Sequence, residues 1–263
     1  MIRDITIGQY YPTTSLVHEM DPRTKILITF AYIFGLFFVN SFLGYAFVTL
    51  CFFGAVKLSK VPLKFILRGL KSIVFILIFT VVLNMLFTRT GNTLVSFGIF
   101  TITDEGILMA AKMGVRLILL IVGSSLLTLT TSPIELTDGI ENLLNPFRKI
   151  GIPAHEIAMM MSISLRFIPI LLEETDKIMK AQTARGADFE SGNIIQRAKS
   201  MIPIMVPLFI SAFRRAEELA MAMEARCYRG GEGRTRLNKL CYKKLDYYAF
   251  IVTIIFIALC VIL

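Results

Sequence analysis

The longest stretch without a charged residue runs from Ile26 to Val56 and reads ILITFAYIFGLFFVNSFLGYAFVTLCFFGAV. As one helix it would be about 46 Å long, whereas the hydrocarbon core of a membrane is about 30 Å thick. A break at Asn40-Ser41 instead gives two short helices joined by a tight turn. The stretch therefore predicts a hairpin of two membrane spans.

Basic residues on either side of this stretch support the hairpin. Arg23 and Lys25 precede it, and it is followed by Lys57, Lys60, Lys64, Arg68 and Lys71. Because Lys and Arg concentrate in cytoplasmic loops, both flanks belong on the cytoplasmic side. An even number of spans must then separate them.

The composition gives the class of the whole chain. Of its 263 residues, 55% are hydrophobic and 18% are charged, and the mean hydropathy is +0.69. These values are too apolar for an ordinary soluble domain and indicate a polytopic all-α membrane protein. The net charge of +9 lies mainly in the predicted cytoplasmic segments. We expect no nucleic-acid partner.

The other apolar runs complete a pattern of five spans. These cover about residues 24–40, 41–58, 70–88, 106–131 and 245–263. Residues 1–131 then form an N-terminal membrane part, residues 132–244 a cytoplasmic or interfacial coupling domain, and residues 245–263 a C-terminal transmembrane helix. The N-terminus would be cytoplasmic and the C-terminus extracellular.

Two basic residues depart from this one-sided distribution of charge. Lys112 and Arg116 lie one helical turn apart near the outer end of the fourth span. Their long side chains would either reach the membrane surface or meet Asp104 and Glu105.

The coupling domain contains dense helix signals. Ser132-Pro133-Ile134-Glu135 is a capping box that opens a short helix ending before Asn145. A second helix starts near Pro153 and runs to about Ala184, with a kink at Pro169. A third begins near Asn193, is interrupted by Pro203 and Pro207, and ends around Cys227. We expect about three helices here, two of them long and crossed.

Both long helices end in a similar tripeptide, Ala184-Arg185-Gly186 and Ala225-Arg226-Cys227. The partial negative charge of a helix C-terminus stabilises an Arg in the last turn by about 0.3–1 kcal/mol. The guanidinium group still faces outward, where it suits bidentate pairing with carboxylates of a partner. Either Arg alone could be an ordinary cationic helix end, but the pair favours docking.

An apolar face accompanies the two long helices. Ala212, Ala216 and Ala220 form a row of small residues that lets another helix approach closely, so the two helices should be in contact. Flexible methionines either fill a core or form an adaptable docking surface. We predict a face that receives another hydrophobic subunit, formed by Met159, Met160, Met205, Phe209, Ala212, Phe213, Ala216 and Ala220.

The sequence motifs that resemble catalytic or metal-binding signatures are each incomplete. His155-Glu156 begins like a zinc-protease helix, but Met159 stands where a second histidine is needed. The glycine run 230–233 lacks the Lys of a phosphate-binding loop. The four cysteines form no CxxC pair. The acidic cluster of Glu173, Glu174 and Asp176 is interpreted as a solvated face. We therefore predict a non-enzymatic chain without a catalytic, metal or cofactor site.

Two isolated polar residues have structural interpretations. Asn84, in the third predicted span, would make a hydrogen bond between helices. Arg166, in an apolar stretch beside Pro169, would form an ion pair with an unidentified carboxylate. The predicted spans other than the fourth contain no charge within their apolar runs, which argues against a transporter with its own substrate site.

Several of these runs together resemble a known family. They are Ser164-Leu165-Arg166-Phe167-Ile168-Pro169, the two Arg tripeptides, Asp21-Pro22-Arg23-Thr24-Lys25, Asn84 to Phe87, and Pro146-Phe147 with Gly151-Ile152-Pro153. In order and spacing they resemble the transmembrane T component of energy-coupling factor vitamin transporters, which are ABC-type importers. The resemblance covers nearly the whole chain.

The resemblance implies partners and roles. Arg185 and Arg226 would dock two cytoplasmic ABC-type ATPases, which themselves bind ATP and magnesium, and a separate membrane S component would capture the vitamin or related micronutrient. The setting would be a bacterial cell membrane. Cys227 departs from the family's Gly, so the third helix should run on to Gly230. Two rival functions are a membrane-bound lipid-modifying enzyme and a scaffold without an energised partner.

Overall fold

A computed structural model describes residues 10–71, 73–88, 90, 92–97, 100–151, 153–189, 193–230 and 240–263. Ile152 and residues 231–233 of the glycine run lie outside the described residues. Contacts divide the described residues into two units. The first unit holds residues 10–143 and 240–263, and the second holds residues 144–230.

The described residues are mainly helical, and the all-α class is as predicted. The first unit contains α1 Pro22–Phe38, α2 Phe42–Ser59, α3 Leu63–Lys71, α4 Val74–Phe87, α5 Asp104–Thr130, α6 Pro133–Leu144 and α10 Lys244–Ile262; the second contains α7 Ala154–Ala184, α8 Ile194–Ser200 and α9 Ile202–Ala225. A 3-10 helix at Asn145–Ile150 precedes α7. An antiparallel hairpin of β1 Thr93–Phe97 and β2 Phe100–Thr103, which was not predicted, joins α4 to α5.

Within the described residues, α2, α5, α7 and α10 are each long and apolar enough to cross a membrane. The pair of α3 and α4, bent by 63°, makes a fifth candidate if it is one span. Helix α1, with 17 residues, is similarly apolar. The chain is thus a multi-pass membrane protein. The predicted sides of the termini and the predicted domain limits stay predictions.

The hairpin of α1 and α2 has its break where the sequence predicted it. Helix α1 ends at Phe38, and the Ser41 hydroxyl caps α2 by accepting the Gly44 N–H at 3.0 Å. Arg116 closes this turn from α5, because its guanidinium donates to the Val39 carbonyl at 2.8 Å and to the Tyr45 hydroxyl at 3.0 Å. It thus meets the turn and not the predicted acidic residues. Lys112 lies 5.4 Å from the Phe42 ring centroid.

Helix α5 is the central packing partner of the first unit, with contacts to α1, α2, α3 and α4. Gly123 allows α1 to approach it closely, since a Cβ at this position would overlap the Tyr32 ring. The Tyr32 hydroxyl donates to the Leu119 carbonyl of α5 at 3.0 Å. The close approach therefore also satisfies a polar group in an otherwise apolar contact.

The Asp246 carboxylate links the beginnings of α1 and α10. It is fully buried and accepts the backbone N–H of Asp21 at 2.9 Å and that of Lys243 at 2.7 Å. Each N–H belongs to the residue before a helix, where donors lack a partner within the helix. One carboxylate thus fixes two helix starts that are far apart in sequence.

Asp21 and Arg23 extend this link at the same end of the unit. Burial opposes ionisation of Asp21, but hydrogen bonds from the Arg23 guanidinium and N–H outweigh it and lower the pKa of the carboxyl group. The Arg23 guanidinium also lies 4.0 Å from the Tyr242 ring centroid, beside the start of α10. These charges therefore add to the contact between α1 and α10.

Lys25 is buried at the same end of the unit. Its ammonium group donates to the His18 carbonyl at 2.9 Å and to the Thr130 carbonyl at 3.0 Å. Thr130 is the last residue of α5, so the ammonium lies at the negative end of that helix. The Asp21 to Lys25 run therefore has a structural role, joining α1 to α5 and α10.

Helices α6 to α9 follow the predicted limits with two exceptions, the prolines of α9 and its C-terminal end. Helix α6 of the first unit and α7 confirm the predicted starts and stops, including the stop before Asn145. The predicted interruptions at Pro203 and Pro207 are wrong, because the break falls at Met201. Pro203 occupies the first turn of α9, where a missing N–H costs nothing, and Pro207 lies inside the same helix.

Both long helices end in the same hydrogen-bonding motif. After α7, the Gly186 N–H donates to the Thr183 carbonyl and the Ala187 N–H to the Gln182 carbonyl. After α9, the Cys227 N–H donates to the Glu224 carbonyl and the Tyr228 N–H to the Met223 carbonyl. These are paired Schellman bonds, which need a left-handed residue after the cap. Gly186 has φ 91° and Cys227 has φ 54°. The predicted extension to Gly230 is therefore wrong, since Cys227 adopts the conformation that a Cβ disfavours.

We expect Asp246→Ala to destabilise the protein by about 2–4 kcal/mol, because the buried Asp21 N–H and the part-buried Lys243 N–H lose their acceptor. Thermal unfolding of the purified full chain in detergent, followed by circular dichroism, measures this change. Glu217→Ala, at an exposed acidic residue of α9, is the control and should unfold like the wild type. An unchanged melting curve for Asp246→Ala would contradict the assigned role.

We expect Cys227→Gly to stabilise the end of α9 by about 0.5–1 kcal/mol. Relief of left-handed strain gains about 1–2 kcal/mol, and the greater freedom of unfolded glycine offsets part of this gain. The reciprocal change Gly186→Cys should destabilise the end of α7 by a similar amount. Hydrogen exchange of the last turn of each helix measures both changes, and equal protection in all variants would refute the strain.

Candidate functional site

The candidate site consists of the two helix ends that carry Arg185 and Arg226. Both residues are the C-cap of their helix, with φ −87° and ψ 4° at Arg185 and φ −93° and ψ 12° at Arg226. Both are exposed, as are their neighbours Ala184 and Ala225. The Schellman bonds satisfy the backbone at both ends. Two guanidinium groups in equivalent positions are thus exposed to solvent, each at the end of a helix whose backbone hydrogen bonds are satisfied.

Helices α7 and α9 contact each other, which confirms the predicted contact. His155 Nε2 at the start of α7 lies 3.3 Å from the Tyr228 hydroxyl just after α9. Further along, the Arg215 guanidinium donates to the Glu174 carboxylate at 3.1 Å. The start of one helix thus lies beside the end of the other, so the helices are antiparallel. Arg185 and Arg226 consequently lie towards opposite ends of the pair.

The Glu174–Arg215 ion pair occupies a special position in this arrangement. Arg185 and Arg226 are 41 residues apart, and so are Glu174 and Arg215. Each partner of the ion pair stands 11 residues before the Arg at its own helix end. In an antiparallel pair, residues at equivalent positions of the two helices face each other at only one point. A half turn about that point exchanges one helix with the other. Each Arg therefore lies about 16 Å along its helix from this common point.

This ion pair was missed in the sequence, where Glu174 was interpreted as part of a solvated face. The Glu174 side chain is one-quarter exposed and the Arg215 side chain is 37% exposed. One signal could have indicated the pairing. Glu174 and Arg215 are separated by 41 residues, the same distance that separates the two Arg tripeptides.

A groove of about 340 Å³ lies between α7 and α9. Ala212, Ala216 and Ala220 line it on one side, as do Ile163, Phe167 and Leu171 on the other. The alanine row thus faces α7 across an open groove. The groove is almost wholly apolar, and Arg215 supplies its charge.

Most side chains of the predicted subunit-binding face are accessible in the second unit. Exposed fractions are 58% for Met160, 50% for Met205, 57% for Phe209 and 69% for Phe213, whereas Met159 is half-buried. Large apolar side chains with such exposure are available to lipid or to a hydrophobic partner. Their assignment to a particular partner stays a prediction.

The two isolated polar residues differ from expectation. The Asn84 amide donates to the Thr80 carbonyl of its own helix at 2.9 Å, so this hydrogen bond does not join two helices. Arg166 is exposed on α7, and none of the ion pairs found between described residues involves it. Its predicted carboxylate partner therefore stays a prediction.

The described residues contain no group of three or more His, Cys, Asp or Glu side chains that could hold a metal ion. His155, which begins the failed zinc-protease motif, instead neighbours the Tyr228 hydroxyl. The arrangement around Arg185 and Arg226 offers paired cations on rigid supports. Its chemistry is that of binding carboxylates.

Comparison with known proteins agrees with this architecture. The family model for CbiQ, described as a cobalt transport protein, matches residues 13–237. The chain is 57% identical over 260 residues to a protein of Clostridium kluyveri, covering 98% of this chain and 96% of that protein. It is 59% identical over 252 residues to one of Thermosediminibacter oceani, covering 96% and 95%. A Bacillus subtilis protein is 49% identical over 259 residues, covering 98% of each chain.

All three relatives are named energy-coupling factor transporter transmembrane protein EcfT. The similarity spans both units, including α1 to α5 and the helices that carry the two Arg residues. The chain therefore belongs to the CbiQ family, as a transmembrane component of an energy-coupling factor transporter.

Proposed function

We propose that this chain transmits ATP-driven motion from two cytoplasmic ABC-type ATPases to a separate S component that captures a vitamin or related micronutrient. Arg185 would dock one ATPase and Arg226 the other. The ATPases would bind ATP and magnesium, and this chain would carry out no catalytic step. The N-terminus would be cytoplasmic and the C-terminus extracellular.

One observation carries the proposal, namely that two equivalently capped, exposed Arg residues lie towards opposite ends of an antiparallel helix pair. A single cationic helix end is common and implies little. Two equivalent ends suit two similar acceptor sites, one for each ATPase. Arg matches a carboxylate in a bidentate manner and loses little freedom on binding.

Rigid helices would convert motion at these ends into motion at the apolar groove. Each Arg stands about 16 Å along its helix from the Glu174–Arg215 ion pair. If ATP binding changed the separation of the two docking sites, the helices would change their crossing about this ion pair. The groove lined by Ala212, Ala216 and Ala220 would then change width.

The apolar face would provide the contact with the S component. Met160, Met205, Phe209 and Phe213 are exposed, and they belong to the same two helices as the docking residues. Methionine and phenylalanine side chains adapt to surfaces of different shape. Such a face would grip or release another hydrophobic subunit as the crossing changes.

We expect Arg185→Ala and Arg226→Ala each to weaken association with an ATPase by about thirtyfold or more, because truncating one partner of a buried interfacial charge pair typically costs about 2–5 kcal/mol. The double variant should lose both ATPases and vitamin uptake. Co-purification from native membranes, quantified by mass spectrometry, and uptake into cells measure these effects.

Arg197→Ala is the matched control for these variants. Arg197 is an exposed Arg in the last turn of α8, but it belongs to neither of the two repeated tripeptides. This control should keep both ATPases and full uptake. Intact co-purification and uptake in the double docking variant would overturn the proposal. Absence of stoichiometric ATPases from the wild-type preparation would do the same.

If the helices change their crossing about the Glu174–Arg215 ion pair, this ion pair is the pivot of the motion. Exchanging its two charges then tests the mechanism. Glu174→Arg and Arg215→Glu should each lower uptake because like charges meet between α7 and α9, and the double swap should restore much of it. Such couplings between contacting residues amount to about 0.5–3 kcal/mol. ATPase co-purification should remain in all three variants. Equal loss of uptake in the double swap and the singles would show that the pair is no pivot.

A further inference from the structure

Helix α3 and the turn before it carry a concentrated positive charge. Residues 57–71 contain no acidic residue and five basic ones, namely Lys57, Lys60, Lys64, Arg68 and Lys71. All five side chains are exposed. The hairpin turn, Arg motifs and groove described above make no use of them. The described residues thus include a cationic surface without an assigned partner.

Lys64, Arg68 and Lys71 lie on one face of α3, because they are four and three residues apart. The opposite face is packed, since Ile66 is fully buried in a cluster with Val122 and Leu129 of α5. Gly69 brings α3 close to α5, where a Cβ would lie 3.3 Å from the Ser125 hydroxyl. The helix is therefore held against the unit with its charges pointing away.

An exposed apolar pair adjoins the basic face. Leu63 and Leu67 are 46% and 53% exposed, and their four-residue spacing places them side by side on α3. On the helix circumference they fall between the buried Ile66 and the basic residues. A surface with an apolar strip beside a cationic strip has the polarity profile of the boundary between acyl chains and headgroups.

The position of α3 in the chain favours a place at the membrane surface. The helix begins four residues after the end of α2, which is long and apolar enough to cross a membrane. It ends shortly before the apolar α4, whose axis makes an angle of 63° with it. We infer that α3 lies at the membrane surface, because it is short, follows an apolar helix and turns sharply away from the next one. Its partner must be available there.

We propose that α3 with Lys57 and Lys60 binds the headgroups of anionic phospholipids, with Leu63 and Leu67 inserted among the acyl chains. Clusters of four to eight Lys or Arg next to a membrane span suit anionic headgroups, because each basic residue adds a similar attraction. An acidic protein would satisfy the charges but would leave the adjoining leucines without a partner at the membrane surface.

The test compares lipids retained by the purified full chain. The chain is incorporated into nanodiscs with equal amounts of phosphatidylglycerol and phosphatidylcholine, extracted in a neutral detergent, and analysed for bound lipid by mass spectrometry. We expect enrichment of phosphatidylglycerol in the wild type. The K64Q/R68Q/K71Q variant should lower this enrichment by at least about tenfold, because each basic residue contributes about fivefold.

Two control variants separate this effect from general loss of charge or fold. K177Q/K180Q removes two exposed charges from α7 and should retain the wild-type enrichment. K64R/K71R keeps the charge of α3 and should also retain it. Circular dichroism and gel filtration verify that each variant is folded. Raising the salt from about 0.1 M to about 1 M should abolish the enrichment, because it shortens the screening length.

The outcomes are distinct. Equal retention of the two lipids by the wild type, or an unchanged enrichment in K64Q/R68Q/K71Q, overturns the proposal. Loss of a co-purifying protein from that variant, with its phosphatidylglycerol enrichment unchanged, identifies an acidic protein as the partner instead. Vitamin uptake is not part of the readout, so failure here leaves the proposed coupling function separately testable.

Discussion

The first unit depends on the burial of two opposite charges, the Asp246 carboxylate and the Lys25 ammonium. Neither can be removed from water without hydrogen-bonding partners. Asp246 finds its partners in two backbone N–H groups at the starts of α1 and α10, and Lys25 finds its partners in two backbone carbonyls, one of them at the end of α5. Three helix ends must therefore meet at fixed positions. Apolar packing between the same helices is far less directional.

Local sequence patterns predicted the limits of elements but not their partners. The break at Asn40-Ser41, the capping box at Ser132 and the stop after Ala184 each depend on residues a few positions apart. The contact between Asp21 and Asp246 joins residues 225 positions apart, and no spacing rule reveals it. The same holds for Arg116, which reaches the turn of the first hairpin from α5. The signs of the charges suggested Asp104 and Glu105 as partners of Arg116. Its partners are instead the Val39 carbonyl and the Tyr45 hydroxyl.

Two errors have a common physical cause, because local propensity was given more weight than the surrounding structure. A Cβ disfavours the left-handed conformation by about 1–2 kcal/mol, yet Cys227 adopts it. The two Schellman hydrogen bonds and the contact of Tyr228 with His155 support that conformation. Likewise, prolines near the start of a helix remove few hydrogen bonds, so Pro203 does not interrupt α9. The ends of the helices were predictable to within a few residues, and the strain at Cys227 was not.

The candidate site shows what a repeated spacing adds to a single motif. One Arg at a helix end has only a weak electrostatic explanation. The same separation of 41 residues relates the two exposed Arg residues and the oppositely charged Glu174 and Arg215, which bind each other. In an antiparallel pair this relation gives two helix segments of equal length, from Glu174 to Arg185 in α7 and from Arg215 to Arg226 in α9. These two segments are called arms. Under the proposed function, equal arms would transmit equal displacements to the shared groove, so neither Arg would need to be specialised for sensing or response. The strained Cys227 is then the feature that distinguishes one arm from the other.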